Sequence, residues 1–466
     1  MTDEPPLTPI ETTELLDRVP SDRDGELDAL AFLSYREKLL AGSWRFLTYF
    51  GRDTLLTLRL LMPHASPTLV EAGLAAVIDR LDPNGDVAHE EDVGDFAAWE
   101  NLRDGRAGDA SPRFDYKMID DDLLLAPVLA SYAATPAGRA RLAAFVTRRT
   151  PGGRRYADAI ASNLAFVMRE ARPYAAAPVP ANLVHLHAGI AVGEWRDSQR
   201  GLAGGRIPYD VNAALVPAAL AAAAQLYALP ELADVRLAAE AKHLAAAWSN
   251  AAEAFRVEIP AAEARQRVAE YAASLGLDAN DAGDAIASID GPVVLRAIAL
   301  DADGAAIPVM HSDDGFVLLF GTPPAAMLDE IAGRITRPFP AGLRTPVGIV
   351  VANPVFASSD AQHELGRTAY HGTVIWSWQQ AMLAEGLDRQ LARTDLPAPT
   401  RAALELAKRA LWSAIRAAPE MTTSELWSWS VSGGTWRVAP FGQTAADADE
   451  SDAVQLWSTV YLAIGR

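Results

Sequence analysis

Apolar residues recur along this chain mostly at three- and four-residue spacing, the period of helices with one buried face. The spacing predicts helices near 26–48, 53–62, 67–81, 117–133, 137–148, 155–169, 210–227, 231–253, 261–275, 324–333, 371–385, 398–416 and 451–464. Ala, Leu, Arg and Glu fill them, all good helix formers. Between them run connectors rich in Gly, Pro and Asp, at 82–115, 171–208, 334–370 and 420–450. Ordered loops of that length in a compact domain are usually functional. One stretch departs from the helical period. Val293 to Leu300, then Ile307 to Met310, then Phe316 to Phe320 read as a small β excursion near 293–320. A dozen or so helices with functional loops between pairs point to an all-α, α-hairpin toroid. A four-helix bundle or solenoid stays open, although no fixed repeat is evident. No linker divides the chain, so a tail over 1–25 and a single domain over 26–466 are expected.

Composition narrows the function classes. The 466 residues are half hydrophobic, ample for a large core, and their formal charge is −19. That charge disfavours nucleic acid, whose phosphates attract Lys and Arg, and it argues against docking on an anionic membrane. With no cysteine there is neither a disulfide framework nor thiolate chemistry. The acidic, Pro-containing start, Met1 to Pro6, has no basic-then-apolar leader. The expected compartment is therefore the cytoplasm, with a secreted or periplasmic site open if a leader has been removed. No G-x-x-x-x-G-K-[ST], G-x-G-x-x-G or G-x-S-x-G motif supports nucleotide binding or serine-hydrolase chemistry. His185 and His187 form an H-x-H pair, but no H-E-x-x-H accompanies it, so no metal or cofactor is expected.

Four segments gather the unusual residues, and eight of the eleven tryptophans fall in them. Tryptophan offers a large rigid plane that stacks on the C–H faces of sugar rings. The first segment, Ser43 to Thr54, carries Arg52 and Asp53, which fit either an N-cap or a grip on substrate hydroxyls. The second, Gly193 to Ser198, holds Glu194, Trp195, Arg196 and Asp197, with Arg206 downstream. A carboxyl group beside an aromatic plane can act as a general acid; a polar turn around a buried Trp195 fits the same residues. The third, Gly366 to Gln379, contains His371 and Trp376. His371 fits a sugar pocket or a packed core position. The fourth runs from Ser424 through Glu425, Trp427 and Gly433-Gly434 to Glu450 and Trp457. Glu425 suits a water-activating carboxylate or a turn cap, and Glu450 a cap on the last helix.

The order of these segments resembles that of a known group of enzymes. Phe50-Gly51-Arg52-Asp53-Thr54 resembles the W-G-R-D-T segment of bacterial glycogen-debranching amylo-α-1,6-glucosidases. Trp195-Arg196-Asp197-Ser198 resembles their T-W-M-D-A, and Gly342-Leu343-Arg344-Thr345-Pro346 their G-L-R-T-L. Tyr370 to Trp378 resembles their Y-H-x-G-T-V-W-P-W, with one residue fewer between His and Gly and Ser377 in place of Pro. Ser424-Glu425 with Pro440-Phe441-Gly442 looks like the base-bearing end of the wider clan of six-hairpin glycosidases, glucoamylases included. The resemblance spans residues 49 to 462 and implies an (α/α)6 barrel and an inverting glycosidase.

By position it implies Asp197 as acid and Glu425 as base. Arg52, Asp53, Glu194, Trp195, Arg206, His371, Trp376 and Trp427 would contact substrate. In the glucoamylase branch the acid is a Glu just after the Trp; Arg196 stands there, which favours Asp197. The Asp120-Asp121-Asp122 run is left with capping, hydrogen bonding at the barrel mouth or calcium as roles. No large N-terminal β-sandwich is recognisable, and 254–290 matches nothing in the group, so debranching specificity does not carry over. The expected partner is an oligosaccharide or polysaccharide, with an α-glucosidic bond favoured and the oligomeric state left open. A non-hydrolytic carbohydrate-binding protein, or a sugar epimerase or polysaccharide lyase on the same toroid, are the alternatives.

Overall fold

The computed structural model describes residues 6–20, 23–43, 46–442 and 454–465. Six elements close an inner ring. Gly51–Leu61 packs on Asp121–Ala134, and that helix on Val216–Leu226. A π-turn, Val211–Leu215, leads into the last of these and meets Asp314–Phe320, which packs on Ser377–Leu391. The 3-10 segment Leu456–Leu462 lies against both Ser377–Leu391 and Gly51–Leu61 and completes the circle.

Outer helices back this ring. Pro67–Asp79 lies on Gly51–Leu61, Tyr156–Ala176 on Asp121–Ala134 and Val235–Ala247 on Val216–Leu226. Ala398–Ala417 lies on Ser377–Leu391, with Ala325–Thr336 beside it, and Asp24–Leu33 covers Leu456–Leu462. The result is an (α/α)6 toroid whose sixth hairpin joins the two ends of the chain. Burial separates the two layers. In Gly51–Leu61 every residue but Arg59 is buried, whereas Val235–Ala247 buries only Ala241 and Leu244. A helix apolar all round belongs inside; one with a narrow stripe belongs outside. Local chemistry starts the outer helices sharply. Ser66, Thr135 and Asp234 each accept a backbone N–H as N-caps, and Pro67 and Pro136 take the first helical position. No helix among the described residues is long and apolar enough to cross a membrane.

Several expectations need correction. The β excursion is extended as far as His311, where Met310–His311 pairs with Ala352–Asn353. Val293–Arg296 pairs with Arg256–Ile259, and Ala299–Leu300 with Ile207–Pro208 and Ala306–Ile307. Phe316 to Phe320 is helix, an inner-ring element buried on nearly every side. A short, fully buried apolar run has no periodicity to tell strand from helix. The helix expected over 26–48 stops at Leu33, and the chain then runs in isolated bridges, among them Gly42 with Gln455 and Phe50 with Glu90. The helix expected from 371 starts at Ser377, because Val374, Ile375 and Trp376 prefer extended backbone.

The 420–450 connector is not structureless either. Leu426–Ser432 and Thr435–Pro440 form an antiparallel hairpin around Gly433-Gly434, both at positive φ, and its first strand pairs with Ile375–Trp376. Residues 6–20 are not a loose extension, since Ile10, Leu15 and Leu16 are buried in the main core. Trp44, Arg45 and Glu450 lie outside the described residues.

Candidate active site

The Gly51–Leu61 helix aims its first turn into the ring. Gly51 donates its N–H to the His89 carbonyl at 2.8 Å. A Cβ built there would sit 2.6 Å from both the Ala88 carbonyl and Asp121 Oδ1, so only glycine permits this approach. Gly51→Ala should shift the helix start, cost about 1–3 kcal/mol, and misplace Arg52. Denaturant unfolding together with turnover checks this; a wild-type profile in both would contradict it.

Arg52 is the hub of the site. Its Nε and Nη2 donate to Asp120 at 2.7 and 3.2 Å, and its Nη1 donates to Asp197 Oδ2 at 3.0 Å. Burial alone would lower the guanidinium pKa, but the charges of Asp120 and Asp197 outweigh it and hold Arg52 charged. Asp120 is thereby explained, and its neighbours have other work. Asp121 meets His89 Nδ1 at 2.9 Å, and Asp122 accepts the Val87 N–H at 2.6 Å.

Asp197 comes from the Gly193–Ser198 loop, its side chain 29% exposed to the cavity. His371 lies beside it, with Nδ1 2.9 Å from Ser198 Oγ and Nε2 3.7 Å from Asp197 Oδ1. Burial, with Arg196 and Arg52 nearby, pushes the imidazole pKa well down, so His371 is neutral. Its ring stacks on Trp376, centroids 5.3 Å apart and planes 9° apart, and meets the Trp195 edge. Glu425 enters from the start of the hairpin and accepts the Tyr370 hydroxyl. Asp53, next to Arg52, is fully buried. Burial raises its pKa well above the carboxylate range, and Arg52 only partly opposes this.

These groups share one cavity of about 220 Å³. Asp53, Asp197 and Glu425 line it with Arg52, Ser198 and Gln455, walled by Phe46, Phe50, Trp195, Tyr370, Trp376 and Trp457. That is small beside the ~300–1,000 Å³ of drug-sized pockets, so it suits a small ligand or the end of a larger one.

Four of the sequence candidates do not line it. His371 is buried beside Asp197 and does not reach the cavity. Arg206 donates to the carbonyls of Leu186, His187 and Ile190 and clamps a loop. Trp427 sits in the hairpin, where it pairs with Ile375. Glu194 is fully buried and does not line the cavity. Among the described residues neither of its carboxylate oxygens has a hydrogen-bond partner, and Asp210 Oδ2 has none either. Burial, and then the charge of Asp210, raises the Glu194 pKa well above its ordinary value. The unfolded chain releases that proton in the ordinary carboxylate range and the folded protein only at higher pH. Stability therefore falls as pH climbs between the two values. Glu194→Gln should flatten that decline in Tm; an unchanged slope would refute the assignment. Among the described residues no group of three or more His, Asp or Glu is placed to hold a metal ion. His185 and His187 line a separate cavity beside Asp122.

Sequence reasoning did not single out Phe46, Phe50, Ser198, Tyr370, Gln455 or Trp457 as site residues. Tyr370 adjoins His371 and Trp457 adjoins Leu456 in the segments already marked, so their proximity was a usable signal. Nothing local marks Gln455, whose buried Oε1 has no partner among the described residues.

No known family matches the chain, and no curated protein matches it. Two solved structures are similar in overall course. One is a GH63 mannosylglycerate hydrolase from Thermus thermophilus in complex with glucose, with a TM-score of 0.46 at 15% identity over 95% of this chain and 99% of that one. The other is the same hydrolase in complex with Tris, with a TM-score of 0.47 at 14% identity and the same coverage. At these values the likeness assigns neither an activity nor a substrate.

Proposed function

We infer that the protein is an inverting, exo-acting glycoside hydrolase, with α-glucosidic oligosaccharides as its substrates. The observation that carries this is the meeting of Asp197 and Glu425, from distant segments, in one aromatic-walled cavity. Asp197 gives a proton to the glycosidic oxygen as the bond to the anomeric carbon breaks. Glu425 takes a proton from a water that attacks that carbon from the opposite face. Solvent then returns the two carboxyls to their starting states. Arg52 fixes Asp197 through Oδ2, and Tyr370 fixes Glu425, so both groups are preorganised at little entropic cost. Trp376 and Trp457 supply apolar wall to a sugar ring. The small cavity favours a chain end, hence exo action.

The epimerase alternative leaned on His185 and His187, which line a different cavity from the carboxylates. A panel of aryl glycosides and natural oligosaccharides tests the proposal. Release of a free monosaccharide is expected. Sugar binding with no turnover on any member would contradict it and favour a non-hydrolytic binding protein.

A further inference from the structure

His371 does not line the cavity, yet both nitrogens of its buried ring face the loop that carries the acid. The backbone N–H of Ser198 points at Nδ1 from 3.4 Å, and Ser198 Oγ lies 2.9 Å from the same nitrogen. A backbone N–H can only donate, so Nδ1 is the acceptor and carries no proton. The hydroxyl then donates there as well. Burial, with Arg196 and Arg52 nearby, keeps the ring neutral, which puts its one proton on Nε2. Nε2 faces Asp197 Oδ1 at 3.7 Å and has no hydrogen-bond partner among the described residues. A buried N–H without a partner is costly. The surroundings nevertheless hold the ring in this orientation. Trp376 stacks on it, the Trp195 and Tyr370 rings meet it edge-on at centroid distances of 5.3 and 4.9 Å, and Arg196 donates to the His371 carbonyl at 3.2 Å.

We propose that His371 is a positioning residue for the acid, its Nε2–H poised to bind Asp197 Oδ1 as that oxygen gives up its proton. This role rests on the glycosidase reading. Arg52 donates to Oδ2, so Oδ1 is the oxygen that carries the transferable proton. While Oδ1 is protonated it is a poor acceptor, and the 3.7 Å gap forfeits little. As the O–H bond breaks and the proton passes to the glycosidic oxygen, negative charge grows on Oδ1. A closure of about 1 Å then makes a charge-assisted hydrogen bond. An interaction that strengthens between ground state and transition state raises kcat rather than lowering KM. The imidazole proton stays on Nε2 throughout. His371 transfers nothing and acts through its tautomer and its place.

Two substitutions, ranked against each other, test this. The amide nitrogen of glutamine takes the place of Nε2, and that of asparagine the place of Nδ1; both variants lose the stacked ring. With an aryl α-glucoside, kcat of His371→Gln should stand about tenfold or more above that of His371→Asn, the worth of one hydrogen bond to a charged group, with KM alike in the two. If His371 only braced Ser198, asparagine would be the better replacement. That order, equal kcat values, or a difference confined to KM overturns the proposal. Nitrogen-15 NMR reads the tautomer in the wild-type protein, and decides by itself if either variant fails to fold. Near neutral pH the ring should be uncharged with its proton on Nε2, and Asp197→Asn should shift the Nε2–H signal. A proton on Nδ1, an imidazolium, or an Nε2–H signal indifferent to Asp197→Asn also overturns it. If no glycoside is hydrolysed while the tautomer and the response to Asp197→Asn are as expected, the glycosidase reading fails and the pairing of His371 with Asp197 stands.

Discussion

Asp197→Asn and Glu425→Gln are each expected to lower kcat by about 10²–10⁴-fold, the usual worth of a positioned general acid or base, while Tm stays close to wild type. The structure supplies the reason for that split. Arg52 keeps its two bonds to Asp120 when Asp197 loses its charge, so no buried guanidinium is stranded. At position 425 an amide oxygen still accepts the Tyr370 hydroxyl. What disappears is the transferable proton at one site and the proton acceptor at the other. Steady-state kinetics and thermal melts on the same preparations check the pair. Loss of folding in either variant would instead make these carboxylates structural.

Arg196→Met is expected to do the opposite and damage the fold first. The Arg196–Asp313 pair is fully buried, with Nε and Nη2 of the arginine donating to the two Asp313 oxygens at 3.0 and 2.7 Å. The same guanidinium donates to the carbonyls of Val351 and His371 and so ties three loops together. Removing it strands Asp313 and the His371 carbonyl, while Val351 keeps only the Ser312 N–H. Breaking one side of a buried ion pair costs about 3–5 kcal/mol, a large part of the ~5–15 kcal/mol that holds a typical domain. Urea unfolding should show the loss, with activity per folded molecule impaired as well because His371 and Asp197 move with the loop. A midpoint within error of wild type would contradict it. In the glucoamylase-like pattern this position carries the acid; here its arginine supports the loop that presents Asp197.

The helices of this toroid are legible because each buries a face, and burial leaves a period. Gly51–Leu61 and Ala398–Ala417 fall within two residues of their sequence-based limits. Phe316 to Phe320 reads wrongly as strand because a run buried on all sides has no period. The hairpin at 426–440 carries its signal openly. Trp427, Trp429 and Val431 alternate with serines and lead to Gly433-Gly434, a two-residue turn. The ring closure through Asp24–Leu33 and Leu456–Leu462 has no local trace, since it pairs the two ends of the chain.

The site divides the same way. Arg52, Asp53, Trp195, Asp197, Trp376 and Glu425 meet at one cavity, and the ordered resemblance of their segments pointed to them together. Glu194 and Arg206 stand in the same segment as Asp197, and nothing local separates a substrate contact from an internal one. A buried carboxyl pair and a carbonyl clamp use those same types for internal work. Gln455 reaches the cavity through its bridge to Gly42, a long-range contact no sequence window contains.

Anomer-resolved proton NMR during the first turnovers of an α-glucoside tests the central claim most directly, because it reports which face of the sugar the water attacks. A carboxylate pair acting as acid and base should release the β-anomer first, with the α-form arising only by later mutarotation. Initial release of the α-anomer would mean a covalent, retaining route, and an isomerised or unsaturated product would mean a different reaction; either result contradicts the roles given to Asp197 and Glu425.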